Sequence, residues 1–328
     1  MSIVKIYPWL IIAIIILFIG INFFYSLLEL NYNFPFEFKI NKGDSVDKIA
    51  DLLEKKGIIS SKNIFKFYLI LTGNSHKIKA GQYKIEKPLN IIELVNILTQ
   101  GGLGIKIKII PGMTLKDVEK LFSDFNLKIN LENYKLKDFP ELNLQNIFGK
   151  DTSLEGFLFP DTYEFLENTP EKEIITKILK NFQKKALPLI EKSENPYQVL
   201  IIASLLEKEI IPFEDKLIAS DILWRRLKDN QKLEVDATIV YAKCKGYFYF
   251  CQERQITKKD LNLQNPYNTY LFKGLPPTPI ANPAQESLIA AVNPKSNEFY
   301  FYLTTKEGKT IFSKTLEEHQ RKIKIYLK

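Results

Sequence analysis

The run Asn195-Pro196-Tyr197-Gln198-Val199-Leu200-Ile201-Ile202-Ala203-Ser204-Leu205-Leu206-Glu207-Lys208-Glu209 opens like a helix. Asn195 can cap free backbone N–H groups, and Pro196 fits the first helical position, where no donor is needed. The nearly unbroken apolar stretch that follows is too short to cross a bilayer, so it predicts a buried helix. Pro212 closes it. At 100° per residue Glu207 and Glu209 point to nearly opposite sides, and Glu209 is in phase with Ile202, Leu205 and Leu206. A carboxylate ending a buried helical face is a candidate for a raised pKa and for general-acid work. The alternative is a helix-end glutamate that reaches water or a basic partner.

Around this helix lie 328 residues, enough for two or three domains with a proper core. The net charge of +8 comes from lysines spread along the chain among 38 acidic residues, which points to an anionic surface or polymer. No zinc-finger spacing, basic stripe or RNP-like aromatic pattern supports nucleic acid as the partner. Two cysteines, Cys244 and Cys251, and two histidines, His76 and His319, exclude a cysteine-rich metal cluster. No metal or cofactor is expected. The pair Cys244 and Cys251 could form a small disulfide or remain free thiols.

From Ile6 to Leu28 no residue is charged. These 23 residues would rise roughly 34 Å as a helix, enough to span a hydrocarbon core of about 30 Å. Tyr7, Trp9 and Tyr25 sit where interfacial anchors would. Lys5 precedes the segment and Glu29 follows it, which favours a cytoplasmic N-terminus. A cleaved signal peptide is the alternative, but the segment is long for one and offers no small-x-small cleavage site. The expectation is a single-pass anchor in the cytoplasmic membrane with the remaining chain extracytoplasmic.

After a short stalk, Phe36-Glu37-Phe38-Lys39-Ile40 alternates like a half-exposed strand. Ser45 caps a helix from Val46 that Gly57 ends, Ser61 begins a second helix, and Ala80-Gly81-Gln82-Tyr83-Lys84-Ile85 forms a return strand. Asn90 opens a further helix. This unit resembles the LysM-like module of membrane-bound cell-wall enzymes, a kind of module associated with amino-sugar polymers; a small mixed spacer is the alternative. Gly101 and Gly102 break the chain. Ile105 to Ile109 is an alternating strand, Thr114 caps a helix, and Asn130 to Gly149 reads as small helices. Leu154-Glu155-Gly156-Phe157-Leu158-Phe159-Pro160-Asp161-Thr162-Tyr163-Glu164-Phe165 suggests a packed strand–loop–strand. Glu214 to Asp229 makes an amphipathic helix, and Asp236 is the expected N-cap of the next one. Phe248 to Phe250, with the flanking cysteines, suggests a hairpin-like excursion. The proline-rich segment from Lys273 to Pro283 suits a groove wall. Pro283 starts a helix, Tyr300 to Ser313 is a hairpin, and Thr315 caps the last helix, which carries His319.

Several of these blocks recur together and in order. They are Leu154-Glu155-Gly156 with Phe159 to Tyr163; Ala203 to Glu209; Arg226-Leu227; Asp236 with Thr238 and Tyr241; Tyr267-Asn268-Thr269-Tyr270; Gly274 to Pro277 with Ile280, Asn282 and Pro283; and Phe312 with His319. In this ordered set the chain resembles the YceG-type, or MltG, family of membrane-anchored endolytic murein transglycosylases. The resemblance implies an α+β protein: an N-terminal transmembrane helix, a LysM-like small α/β module and a larger mixed α+β catalytic domain. The corresponding limits are a cytoplasmic tail at 1–5, the helix at 6–28, stalk and module at 29–103, a connecting subdomain at 104–150 and the catalytic domain at 151–328.

The family's acid/base glutamate falls on Glu209, the residue that helix phase also prefers. Glu155, Asp236, Thr238, Tyr267, Asn268 and Thr269 match other motif residues around the family's site. Asp236 and the Asn268 amide are the candidates for orienting Glu209 or substrate N-acetyl groups, and Tyr267 for a sugar-facing wall. The resemblance implies lyase-type cleavage of nascent glycan strands between N-acetylmuramic acid and N-acetylglucosamine, leaving 1,6-anhydro ends. Peptidoglycan strands, the membrane and peptidoglycan synthases are the implied partners. Three other readings stay open: a two-carboxylate muramidase, a non-catalytic glycan-binding or scaffold protein, and a plain anchored domain with no glycan contact. Two departures bear on groove contacts. Val235-Asp236-Ala237 lacks the usual Gln or Ser before the aspartate and the proline after it, and Arg225 stands where the family commonly has asparagine.

Overall fold

The computed structural model describes residues 35–86, 89–102, 104–166, 169–305 and 307–326. The expected membrane anchor at 6–28 lies outside the described residues. Among those described, no helix is long and apolar enough to cross a membrane. The described chain is mixed α+β and falls into two compact units. One holds the residues up to Ile105 together with Glu164 to Leu166, and the other holds Lys106–Tyr163 with the chain from Thr169 onward.

In the first unit β1 (Phe36–Ile40) pairs antiparallel with β2 (Gly81–Ile85), Phe38 opposite Tyr83. The period-two pattern turns Phe38, Ile40, Tyr83 and Ile85 inward, where the Phe38 and Tyr83 rings stack at 5.2 Å. Two helices lie between the strands, α1 (Val46–Lys55) and α2 (Lys62–Leu71), capped by the hydroxyls of Ser45 and Ser61 as their spacing predicts. A third, α3 (Ile91–Gln100), starts at a capping box in which Asn90 and Glu93 satisfy each other's backbone N–H groups.

Three elements begin the second unit's secondary structure: β3 (Ile105–Ile109), α4 (Leu115–Asp124) and, after three single-turn 3-10 segments, α5 (Leu144–Phe148). Strand β3 pairs with β4 (Asp161–Phe165). The stretch before β4 forms turns, so the expected strand–loop–strand is a turn followed by one strand. Next come α6 (Glu171–Lys185), α7 (Leu187–Ile190) and α8 (Pro196–Glu209).

Helix α8 is the centre of this unit. The Asn195 side chain accepts from the Gln198 N–H and Pro196 takes the first position, as the sequence implies. Every residue from Val199 to Leu206 is buried. It is surrounded by α5, α7, α9 (Phe213–Lys228), α10 (Asp236–Lys243) and α11 (Gln285–Val292). The polar Ser204 is no exception to this packing. Its hydroxyl donates to the Ile201 carbonyl and accepts from the Ile280 N–H, which fastens the proline-rich segment to the helix.

The hairpin of β5 (Phe301–Thr304) and β6 (Thr310–Ser313) and the last helix, α12 (Leu316–Tyr326), complete the unit. Thr315 accepts from the Glu318 N–H, the expected capping contact. Cys244 and Cys251 form a disulfide. The loop between them is a set of turns rather than a hairpin. One cap differs from expectation. Val235, not Asp236, is the N-cap of α10, and Asp236 is its first helical residue. Its side chain is therefore directed to a tertiary partner rather than to local capping.

Candidate active site

The last turn of α8 sends three consecutive charged side chains to three different elements. Glu207 accepts from the Ala284 N–H at 3.0 Å and the Ser287 hydroxyl at 2.6 Å, and Lys216 lies 3.7 Å away. All three contacts fall on one carboxylate oxygen, Oε2, which fixes the start of α11. Lys208 donates to the Gly112 carbonyl at 3.0 Å and sits 3.4 Å from the centre of the Phe248 ring. Burial pulls its pKa down to about 8.

Glu209 has a different setting. It is half-buried, and one carboxylate oxygen accepts from the Ala237 N–H, in the first turn of α10, at 3.0 Å. Its own carbonyl accepts from the Thr304 hydroxyl at 2.9 Å, tying the end of α8 to β5. The side chain opens into a 380 Å³ cavity that also presents Asp236, Tyr270, Tyr302, Arg226 and His319. Burial, then repulsion from Asp236, raises its pKa to about 7, although the Ala237 N–H and Lys208 pull the other way. A single carboxyl group poised near neutrality beside open volume can give a proton and take one back.

Asp236 is fixed by the Tyr270 hydroxyl, which donates to it at 2.5 Å. Burial and the neighbouring Asp236 hold that phenol above its ordinary range. Tyr302, also on the cavity wall, is raised well above its usual pKa by burial and by Glu209. Both phenols are therefore neutral donors at physiological pH. The guanidinium of Arg226 is committed to the Leu233 and Tyr300 carbonyls, so it shapes the wall rather than reaching into the cavity. The His319 ring stacks on Phe301 at 5.3 Å.

The remaining expected site residues lie elsewhere. Thr238 and Thr269 bring their hydroxyls within 3.0 Å of each other, and both bond to Val235 backbone atoms. They splice the 265–272 loop to the start of α10. The Asn268 amide, expected to orient Glu209 or a substrate, donates instead to the Leu261 and Leu263 carbonyls and accepts from the Tyr270 N–H. This fully buried amide spends both of its donors and one of its two lone pairs on neighbouring backbone. Its contribution is to present Tyr270.

Glu155 and Tyr267 belong to a second cavity. Only 3% exposed, Glu155 accepts from the Leu115 N–H at 2.9 and 3.1 Å and from the Tyr241 hydroxyl at 3.0 Å. Burial raises its pKa to about 8. The rings of Tyr241 and Tyr267 lie 4.7 Å apart, and the Tyr267 hydroxyl pairs with that of Thr278. Gly156 beside it has φ of 90°, and a Cβ there would come within 2.7 Å of Pro279. Gly156→Ala is therefore expected to destabilise the fold by about 3 kcal/mol, from left-handed strain plus overpacking. Chemical denaturation measures it; an unchanged midpoint would refute the packing argument.

The sequence motifs single out Glu209 and Asp236 but not Tyr302, and they quote Lys208 without a role. Tyr270 and His319 stand inside the quoted blocks without an assigned role. A further cavity of 720 Å³, beside Trp224, Ala291 and Pro294, has only Lys192 and Glu194 as ionisable lining groups and offers no comparable chemistry.

The YceG-like family model matches residues 38–325. An endolytic murein transglycosylase of Bacillus subtilis strain 168 is 31% identical over 345 residues, covering 95% of this chain and 91% of that protein. One of Streptococcus pneumoniae serotype 2 is 30% identical over 87% of this chain, which spans 57% of the pneumococcal protein. Among solved structures, a yceG-like protein from Listeria monocytogenes superposes with a TM-score of 0.58 at 27% identity, over 88% of this chain and 98% of that one.

Proposed function

This chain belongs to the YceG-like family, and from that premise we propose that it is an endolytic murein transglycosylase, a lyase acting on peptidoglycan. The observation that carries the reading is Glu209: one carboxyl group, its pKa lifted to about 7, opening into a cavity beside a fixed carboxylate and two neutral phenols. That arrangement supports the following reading of the finer steps. Protonated Glu209 donates to the glycosidic oxygen between N-acetylmuramic acid and N-acetylglucosamine, and the C1–O bond breaks as an oxocarbenium-like centre develops. The Glu209 carboxylate then takes the proton of the muramyl C6 hydroxyl while its oxygen closes on C1. The 1,6-anhydro ring forms, no water is consumed, and Glu209 is left protonated for the next cycle.

Asp236 assists twice. Its charge disfavours ionisation of Glu209 before the cut, and it faces the positive charge that grows during it. The bond from Tyr270 holds it in place. The apolar segment at 6–28 would tether the enzyme to the cytoplasmic membrane with its catalytic unit outside. With only a short stalk before β1, cutting would then be confined to nascent glycan near the synthases. The first unit would serve as a LysM-like holder of the strand.

A hydrolytic second reading is favoured by one observation: Asp236 shares the cavity, so a two-carboxylate muramidase has its second group. Product mass separates the two. Incubating the full chain with uncrosslinked nascent glycan should give muramyl ends lighter by one water than the hydrolytic product. Ends of full hydrolytic mass would replace the lyase by a muramidase. No cleavage at all would remove the enzyme reading.

A further inference from the structure

The cavity at Glu155 shares no lining residue with the one at Glu209. It measures 340 Å³ and is walled by Tyr134, Tyr241 and Tyr267, with Lys116 and Lys135 on its lining. A 220 Å³ cavity continues it, sharing Lys116, Glu132, Tyr241 and Tyr267 and adding Lys245 and Asn265. Helix α10 connects this groove to the site of cleavage. Asp236 at its first position lines the Glu209 cavity, and Tyr241 and Ala242 line the groove, roughly 8 Å further along the axis.

The groove's charge has a definite sign. Lys116 is paired with Glu132 at 3.3 Å, which neutralises both. Lys135 and Lys245 have ammonium groups with no ion pair among the described residues. The other acidic residue, Glu155, spends its oxygens on Leu115 and Tyr241. Raised to about 8 by burial, it is mostly uncharged at pH 7 and does not repel an anion. What remains is an aromatic floor for ring faces or apolar stems, flanked by two available cations.

We propose that this groove is a second binding site, which takes the acidic peptide carried by a muramyl residue while the glycosidic bond lies at Glu209. The inference rests on the murein reading above and adds a substrate requirement to it: peptide-bearing strands are preferred to bare glycan. The two cavities, at either end of α10, read different parts of one substrate. One takes the sugar linkage, and the other takes the carboxylates of its peptide.

The test uses the full chain in detergent micelles with Glu209→Gln, so that strands bind without being cut. Calorimetric titration compares glycan strands bearing their peptides with the same strands after amidase removal of the peptides. The expected result is about tenfold tighter binding of the peptide-bearing strands, as two partly solvated ion pairs would give, with the preference shrinking as salt is raised. Adding Lys135→Glu and Lys245→Glu should abolish or invert the preference. Both positions are at least partly exposed, so thermal unfolding of this variant should match its parent. Equal affinity for the two strands, or a preference that survives the charge reversal, would overturn the peptide site and leave the murein reading standing. Failure to bind either strand would overturn both.

Discussion

Glu209→Gln is expected to lower murein cleavage by about a thousandfold, the scale on which a positioned acid/base contributes. Glutamine keeps the shape and can still accept from the Ala237 N–H. It has no proton to give the leaving oxygen and cannot take one from the C6 hydroxyl. The pH dependence of the parent enzyme should carry the same signature. Glu209 must start protonated, so activity should be level well below pH 7 and fall about tenfold per unit well above it. Stability supplies the control. A carboxyl whose folded pKa is raised favours the fold most fully below its unfolded value, and that contribution is lost as pH rises through about 7. The glutamine variant lacks this penalty and should be at least as stable as the parent at pH 8. A variant that is inactive and also less stable at pH 8 would point to lost structure rather than lost chemistry. A variant that keeps its activity would remove Glu209 from the mechanism.

How much of this site is readable in the chain alone depends on how local each determinant is. The caps at Ser45, Ser61, Asn90, Thr114 and Asn195 are legible because a cap needs only residues within one turn. The choice between Glu207 and Glu209 is a harder case. Helix phase favours Glu209 by assuming one buried face, but α8 is buried on all sides, so phase alone does not distinguish them. Their difference comes from distant partners. Glu207 is tied through one oxygen to Ala284 and Ser287 at the start of α11, and Glu209 meets one N–H and open volume. The motif residues Thr238, Asn268 and Thr269 show the converse. In the structure their side chains splice and brace the loop that carries Tyr270, and none lines the Glu209 cavity. No local pattern signals that Glu155 and Glu209 line separate cavities, since that separation depends on α10 lying between them.

Asp117→Ala should be among the most damaging substitutions away from the cavities, costing about 4 kcal/mol in chemical denaturation. In sequence it reads as an ordinary first-turn aspartate of α4, and it does complete the capping box by accepting from the Thr114 N–H. Its larger role is tertiary. The side chain is fully buried and also accepts from the backbone N–H groups of Phe248, Tyr249 and Phe250, inside the disulfide-closed loop. Alanine would leave the buried Thr114 N–H and the three part-buried loop N–H groups without their acceptor, each costing roughly 1–3 kcal/mol unless the loop rearranges to hydrate it. Rearrangement is the cheaper response, which is why the expected total is near the cost of one or two donors rather than four. The milder substitution Asp117→Asn would keep one accepting oxygen and should recover part of the loss. The disulfide cannot substitute for these bonds, because it fixes the loop's ends and leaves its middle free to lift. Lifting it would take the Phe248 ring away from Lys208, the residue next to Glu209, so cleavage should fall as well. Amide hydrogen exchange localises the effect. In Asp117→Ala, exchange at Phe248, Tyr249 and Phe250 should accelerate far more than across α8. If those three amides stay as protected as in the parent, the anchoring role of Asp117 is wrong, whatever the change in global stability.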